Sequence, residues 1–408
     1  MLKKTALNDI HRKLGGEMTD FGGWEMPLWY PTGSVKEHLA VIERSGVFDI
    51  GHMDLLRVRG KDAFDLLQLC LTRDIAPLTP GACGYSVILN ERGHVVDDTI
   101  VYNMGKDGYI LIVNANMGPV VREHLTSHNA FADVSVSDES GKFSKIDIQG
   151  PASRKIVRKL LERGKDLLDG LRYFRFRGDY ADPESETAFT GSVPVLLSRT
   201  GYTGEVGFEI VMPYDKARDV WNMIIDAGGG ETTPCGLAAR DSLRTGAVLP
   251  LSHQDIGDWP FVNTPWNFAL PLGKDGNFTK KFIGSEIYGP GYSPQDVANI
   301  RYTYPFCGFD PRKVEPHDAS VLLDGAPIGV VSTCAIDMAI GRSGGKIFSA
   351  ASGDKPDSFK PKGLVCGFAR VDRPLETGRR VILKDARRSI EVEIVNDIRP
   401  ARTARIKI

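Results

Sequence analysis

No stretch of this chain approaches the roughly 18–20 consecutive apolar residues that a membrane helix requires, so no such span is expected. Cysteine is sparse: Cys70, Cys83, Cys235, Cys307, Cys334 and Cys366 lie far apart, with no Cys-x-x-Cys pair. That spacing speaks against a disulfide framework and a zinc knuckle, and points to free thiols in a reducing compartment. Eight histidines show neither His-x-His nor His-Glu-x-x-His spacing, so a resident metal is not expected. The net charge is only −1, too small a field to recruit nucleic acid or an anionic membrane. Internal repeats and low-complexity tracts are missing, which excludes solenoids and arrays. The opening Met1-Leu-Lys-Lys-Thr5 has no apolar core of a secretory leader, and a cytoplasmic location is the expectation.

What is present is an ordinary globular composition, 42% hydrophobic and 25% charged over 408 residues, enough for two to three domains. Apolar spacing predicts helices at 7–14, 35–45 (with Ser34 as N-cap), 61–71, 119–127, 152–162, 215–225 and 237–246. Alternating runs predict strands at 54–59, 85–90, 94–102, 109–114, 144–149, 193–198 and 207–212. Glu91-Arg-Gly93 joins two of these as a hairpin. Beyond about residue 283 helical patterns stop, and short strands recur near 319–323, 327–333, 364–370, 380–384 and 389–395, marking a separate all-β unit. The class is α+β with a C-terminal β-barrel or sandwich. Arg379, Arg380, Arg387, Arg388, Arg399, Arg402 and Arg405 make the C-terminus the most basic part, and a solvated β-surface is the simplest reading.

Three segments carry chemical promise. In His94-Val-Val-Asp-Asp-Thr-Ile-Val-Tyr102, strand alternation puts Asp98 on one face with Val96, Ile100 and Tyr102, and Asp97 on the other. A carboxylate among apolar neighbours needs a partner or a shifted pKa. It is either a positioned acid in a cleft or part of a hairpin network near Arg92. Ser198-Arg-Thr-Gly-Tyr-Thr-Gly-Glu-Val-Gly-Phe-Glu-Ile210 lets backbone approach a ligand at three glycines. Tyr202 offers it a flat surface, and the segment lacks the lysine of a phosphate loop. A glycine-rich hairpin without a ligand is the alternative. Pro234-Cys-Gly-Leu-Ala-Ala-Arg-Asp-Ser-Leu-Arg244 opens a helix whose Arg240 and Arg244 either hold a ligand carboxylate or pair with Asp241. Gly341-Arg-Ser-Gly-Gly-Lys346 is no phosphate loop, since Ile340 and Ile347 stand where glycine and Ser/Thr are needed. Ala227-Gly-Gly-Gly230 reads as a helix end and turn.

These segments, in this order, resemble the glycine cleavage aminomethyltransferase (T-protein) family. The resemblance runs through Asp20-Phe-Gly-Gly-Trp-Glu-Met-Pro27, Gly46-Val-Phe-Asp-Ile-Gly-His-Met53, Tyr85-Ser86, Val95-Val-Asp-Asp-Thr-Ile-Val-Tyr102, Val113-Asn114 and Gln149-Gly-Pro151. It continues through Arg199-Thr-Gly-Tyr-Thr-Gly-Glu205, Gly207-Phe-Glu209 and Gly236-Leu-Ala-Ala-Arg-Asp241. It implies a three-domain cloverleaf around a central folate cavity. The units would be 1–50 with 137–283, then 51–136 carrying the Asp97-Asp98 hairpin, then a barrel-like 284–408. It implies Asp98 as the catalytic carboxylate and Asp97 as its support. Tyr85, Tyr102, Tyr173 and Tyr202 would wall the pterin and its linker, Glu209 would accept from the amino-pyrimidine edge, and Asn114 and Arg240 would complete the polar contacts.

The implied reaction moves an aminomethyl carbon from a lipoylated carrier protein to tetrahydrofolate as co-substrate, with ammonia released. The chain departs from the family pattern in four places. Thr245-Gly-Ala-Val248 stands for Leu-Glu-Ala-Gly, and Phe268 for a tryptophan. Ser332-Thr-Cys-Ala-Ile-Asp-Met-Ala339 replaces a Thr-Ser-Gly-x-x-Ser-Pro-x-Leu stretch, and insertions fall near 178–190 and 341–362. These leave room for a folate-dependent demethylase of an N-, O- or S-methylated small molecule. A non-catalytic folate-binding or iron–sulfur assembly relative would carry a Lys-Gly-Cys-Tyr-x-Gly-Gln motif, which is missing here.

Overall fold

The structure, a computed structural model, describes residues 1–106, 108–288 and 301–407. The stretch 289–300 of the expected C-terminal unit lies outside the described residues. Two open sheets and one closed barrel organise the chain.

The first sheet runs in the order Phe176–Arg177, Leu196–Ser198, Gly207–Pro213, Phe143–Gln149, Ser45–Asp49, Thr232–Pro234. Its neighbours are antiparallel except the last pair. The period of two explains its chemistry. Ile146, Ile148, Phe208, Ile210 and Met212 point to one side, where Trp221, Ile224, Ile156 and Val157 of the helices Ala217–Gly228 and Ser153–Leu160 cover them. Lys145, Asp147, Gln149 and Glu209 alternate with these residues, and all four are buried.

The second sheet runs Cys83–Leu89, Val95–Gly105, Gly108–Val113, Asp54–Arg59, Ser135–Asp138, antiparallel throughout. The helices Ala63–Cys70 and Gly118–Ser127 cover one face through Leu66, Leu67, Val121 and Leu125. The other face packs Leu55, Tyr102, Ile110 and Ile112 against Phe143, Phe176, Leu196 and Val211 of the first sheet.

The C-terminal unit is a closed six-stranded barrel: Tyr302–Gly308, Leu364–Val371, Ala326–Asp337, Ser320–Leu323, Arg380–Lys384, Ser389–Ile394. Phe306, Val321, Val331, Val365, Val381 and Val392 fill it. A second apolar seam joins Val87, Leu89 and Val95 to Phe261, Trp266 and Phe282, and on to Cys366 and Phe368 of the barrel. Two buried arginines tie the helix Leu237–Gly246 to the barrel. Arg244 of the helix binds Asp241 and Asp255 and donates to Thr333 of the barrel, while Arg399 binds Asp337 of the barrel and Glu205 and donates to the Leu243 carbonyl of the helix.

Several local expectations change. The pair Glu17–Phe21 and Trp24–Trp29 forms an unforeseen hairpin, and the fully buried strand Ser45–Asp49 carries no alternation to betray it. The N-cap of Ser34–Glu43 is Gly33, at φ 85, rather than Ser34, which is already helical. Arg399 is no part of a solvated surface, being 1% exposed. Gly341-Arg-Ser-Gly-Gly-Lys346 belongs to a two-stranded hairpin whose turn is Gly344-Gly345. All six cysteines are free and buried. No helix among the described residues is long and apolar enough to cross a membrane.

Candidate functional site

Where the inner faces of the two sheets diverge, a cavity of about 970 Å³ opens toward the barrel and the C-terminal segment. This lies at the upper end of the range that small-molecule sites occupy. Asp98, Tyr85, Asn114, Tyr173, Tyr202, Glu209 and Arg240 all line it. Tyr102 does not. It shares the Asp98 face, as alternation requires, but lies further along the strand where the sheets have closed. There it is 1% exposed, with its ring 5.2 Å from Phe176.

At one end stands the acidic pair. Asp98 Oδ2 accepts from Tyr85 Oη at 2.9 Å, and Asp98 Oδ1 accepts from Asn114 Nδ2 at 2.6 Å. The same nitrogen donates to Asp97 Oδ1 at 2.7 Å. Asp97 is fully buried, and it also accepts from the Asn114 backbone N–H at 3.1 Å and from Ser252 Oγ at 2.9 Å. One amide therefore uses both its hydrogens to bridge two carboxylates. Burial raises the pKa of both carboxyls, and the Asp97 charge raises that of Asp98 further. Tyr85 is also pushed up, by burial and then by Asp98, so it donates its proton and keeps it. Arg92, the alternative partner from the hairpin, pairs with Asp258 instead.

The other end is a buried ionic floor created by alternation in Phe143–Gln149 and Gly207–Pro213, where Glu209 sits opposite Asp147. Lys145 Nζ donates to Glu209 Oε1 at 2.9 Å, and Thr200 Oγ1 donates to Glu209 Oε2. Burial alone would raise the Glu209 pKa, but the Lys145 charge and these two hydrogen bonds outweigh it, and the group stays ionised. Asp147 is raised by burial and by Glu209, despite Arg240 Nη1 at 3.0 Å and Gln149 Nε2 at 2.6 Å. Arg240 also stacks over the Tyr202 ring at 4.8 Å, and the Tyr202 hydroxyl donates to the Pro250 carbonyl. Tyr173 is covered by Arg405 at 5.6 Å from its centroid. Phe268 lines the wall 5.8 Å from Tyr85. His52 also lines the cavity, and burial lowers its pKa to about 4, so the imidazole is neutral.

Of the two arginines in the 234–244 segment, only Arg240 reaches the cavity, while Arg244 is engaged with Asp241, Asp255, Thr333 and the Leu249 carbonyl. Sequence reasoning missed Lys145, Asp147 and Thr200. The run Ser144-Lys-Ile-Asp-Ile-Gln149 held the signal, with polar side chains at every second position of a strand. Solvent was the simpler explanation for that face. Among the described residues no group of three or more His, Cys, Asp or Glu could hold a metal.

The floor and the acidic pair suit a flat, amphipathic ligand. A carboxylate oxygen has two acceptor positions. Each oxygen of Glu209 uses one on Lys145 or Thr200 and keeps one for an N–H edge in the cavity. Aromatic walls flank the space between Glu209 and Asp98, where a basic nitrogen would meet a carboxyl able to hold or release a proton near neutrality.

Known proteins resemble this chain over most of its length. A family model described as the GCVT N-terminal domain matches residues 7–260. An aminomethyltransferase of Cutibacterium acnes is 36% identical over 259 residues, covering 63% of this chain and 68% of the relative. The aminomethyltransferase of Bacillus subtilis is 37% identical over 288 residues, covering 70% and 76%. Among solved structures, the glycine cleavage system aminomethyltransferase T of Bartonella henselae superposes with a TM-score of 0.77 at 26% identity, covering 97% of each chain.

Proposed function

This chain belongs to the glycine cleavage aminomethyltransferase family and is a transferase of one-carbon groups; from that premise we propose how its cavity performs the transfer. The cavity takes tetrahydrofolate with the amino-pyrimidine edge on Glu209 and the reacting amines at Asp98. The aminomethyl carbon comes from the lipoyl arm of a carrier protein. The observation that carries this reading is the pairing, in one cavity, of an ionised acceptor at Glu209 with a raised carboxyl at Asp98.

When bound, tetrahydrofolate supplies the nucleophilic amines that take up the carbon. The rest falls to this chain. Tyr85 and Asn114 fix both oxygens of Asp98, so the carboxyl is oriented before the ligand arrives. Asp98 holds a proton at or near neutrality, and it gives or takes that proton at the amine facing it. In its ionised form it stabilises positive charge developing beside it. Asp97 keeps Asp98 basic through its own charge and stays out of the cavity. Tyr202, pinned by Pro250 and Arg240, and Tyr173 hold the flat part of the ligand in register.

The test is a donor comparison with tetrahydrofolate present: aminomethylated lipoyl carrier protein against N-, O- and S-methylated small molecules. Ammonia release from the carrier is expected. Methyl transfer from a small molecule, with no ammonia from the carrier, would overturn the reading.

A further inference from the structure

Arg73 forms no direct ion pair among the described residues; the nearby Asp74 charge acts on it without a hydrogen bond. Arg73 follows the helix Ala63–Cys70, and its side chain lies over the strand Cys83–Leu89 to line the same cavity as Asp98. Among the described residues its guanidinium makes a single long hydrogen bond, from Nη1 to the Tyr85 carbonyl oxygen at 3.4 Å. The adjacent Asp74 is turned away, its carboxylate accepting from Gln68 Nε2 and the Ala76 backbone N–H. Arg73 is half-buried, and burial works against its charge. The space it fills exists because position 84 has no side chain: a Cβ on Gly84 would stand 2.8 Å from Arg73 Nε.

A partly desolvated guanidinium with most of its donors free lacks its anion. The planar fork suits a carboxylate best. Arg405 lines the same cavity. With Arg402, which also lines it, Arg405 adds positive charge to the field there. We infer that Arg73 is a carboxylate subsite of this cavity, binding an acid group carried by the ligand that occupies it. Two sources share this chemistry: the glutamyl tail of a folate, and a carboxylate on the molecule filling the donor half. The first source rests on the folate reading, and the second does not.

The experiment measures dissociation constants for wild type, Arg73→Met and Gly84→Ala. The probes are the primary amide of tetrahydropteroate, which has neither a glutamyl tail nor a free carboxyl, tetrahydrofolate, its triglutamate, N,N-dimethylglycine and the uncharged amide of N,N-dimethylglycine. Loss of the paired guanidinium weakens the acid-bearing probe by about tenfold or more and leaves its uncharged counterpart unchanged. Gly84→Ala, which crowds the guanidinium without removing it, shows the same pattern in milder form. A loss confined to tetrahydrofolate and its triglutamate assigns the tail, and a loss confined to dimethylglycine assigns the donor half. Equal binding of all five probes by Arg73→Met and wild type overturns the subsite. Should that variant fail to fold, equal wild-type affinity within each charged and uncharged pair overturns it as well. Failure of the tetrahydropteroate amide to bind wild type would sink the folate reading alone, since the dimethylglycine pair still tests Arg73.

Discussion

Replacing Asp97 with Asn removes a charge while keeping the shape that Asn114 and Ser252 grip. One nitrogen, Asn114 Nδ2, lies 2.7 Å from Asp97 Oδ1 and 2.6 Å from Asp98 Oδ1. That common contact keeps the two oxygens within about 5 Å, where an effective dielectric of about 20 gives a repulsion of about 3 kcal/mol. Converted at 1.36 kcal/mol per unit, the missing charge lowers the Asp98 pKa by about 2 units. The sign follows from the cause: a lost negative neighbour favours the ionised form. The pH profile of kcat/KM reports this ionisation in the free enzyme. Its Asp98 limb is expected to move to lower pH in Asp97→Asn. Stability gives a second reading. The pKa of Asp97 is raised in the fold, so its stabilising contribution is complete below the unfolded value of about 4 and is lost as pH rises through the folded value. The variant should therefore gain on wild type in urea unfolding as pH rises from about 4 to about 6, and hold that gain above it. A limb that stays in place or moves upward would refute the coupling between the two carboxyls.

Two further substitutions probe the buried ionic groups. Glu209→Gln leaves Lys145, 1% exposed, without its carboxylate; unfolding should lose about 3–5 kcal/mol, and tetrahydrofolate affinity should fall with it. Arg244→Met strands Asp255, which is buried and accepts from both Arg244 and Thr333, at a cost of about 3–5 kcal/mol in urea unfolding; a change within experimental error would show that the network does not tie the helix to the barrel.

Much of the fold was legible because period-two and helical spacing survive wherever one face of an element is covered. The hairpin Cys83–Leu89 with Val95–Gly105 and the barrel strands are examples. Ser45–Asp49 was not legible, being buried on both faces and free of alternation. The site divides in the same way. Alternation separated Asp97 from Asp98 without saying which face met a cavity. That depends on the first sheet closing over Tyr102 yet standing open at Ile100 and Asp98. The roles of Glu209, Asn114 and Arg240 came with the family resemblance. Lys145, Asp147 and Arg73 were invisible for a common reason: a charged residue in a strand or loop reads as solvated until another element is known to pack over it.

The claim at the centre is that Asp98, and no neighbouring carboxylate, handles the proton at the reacting amine. The direct test is Asp98→Asn, measured for tetrahydrofolate binding and for turnover with aminomethylated carrier in parallel. The account predicts retained binding with turnover reduced by about 10²-fold or more; turnover near the wild-type level in a variant that binds normally would contradict it.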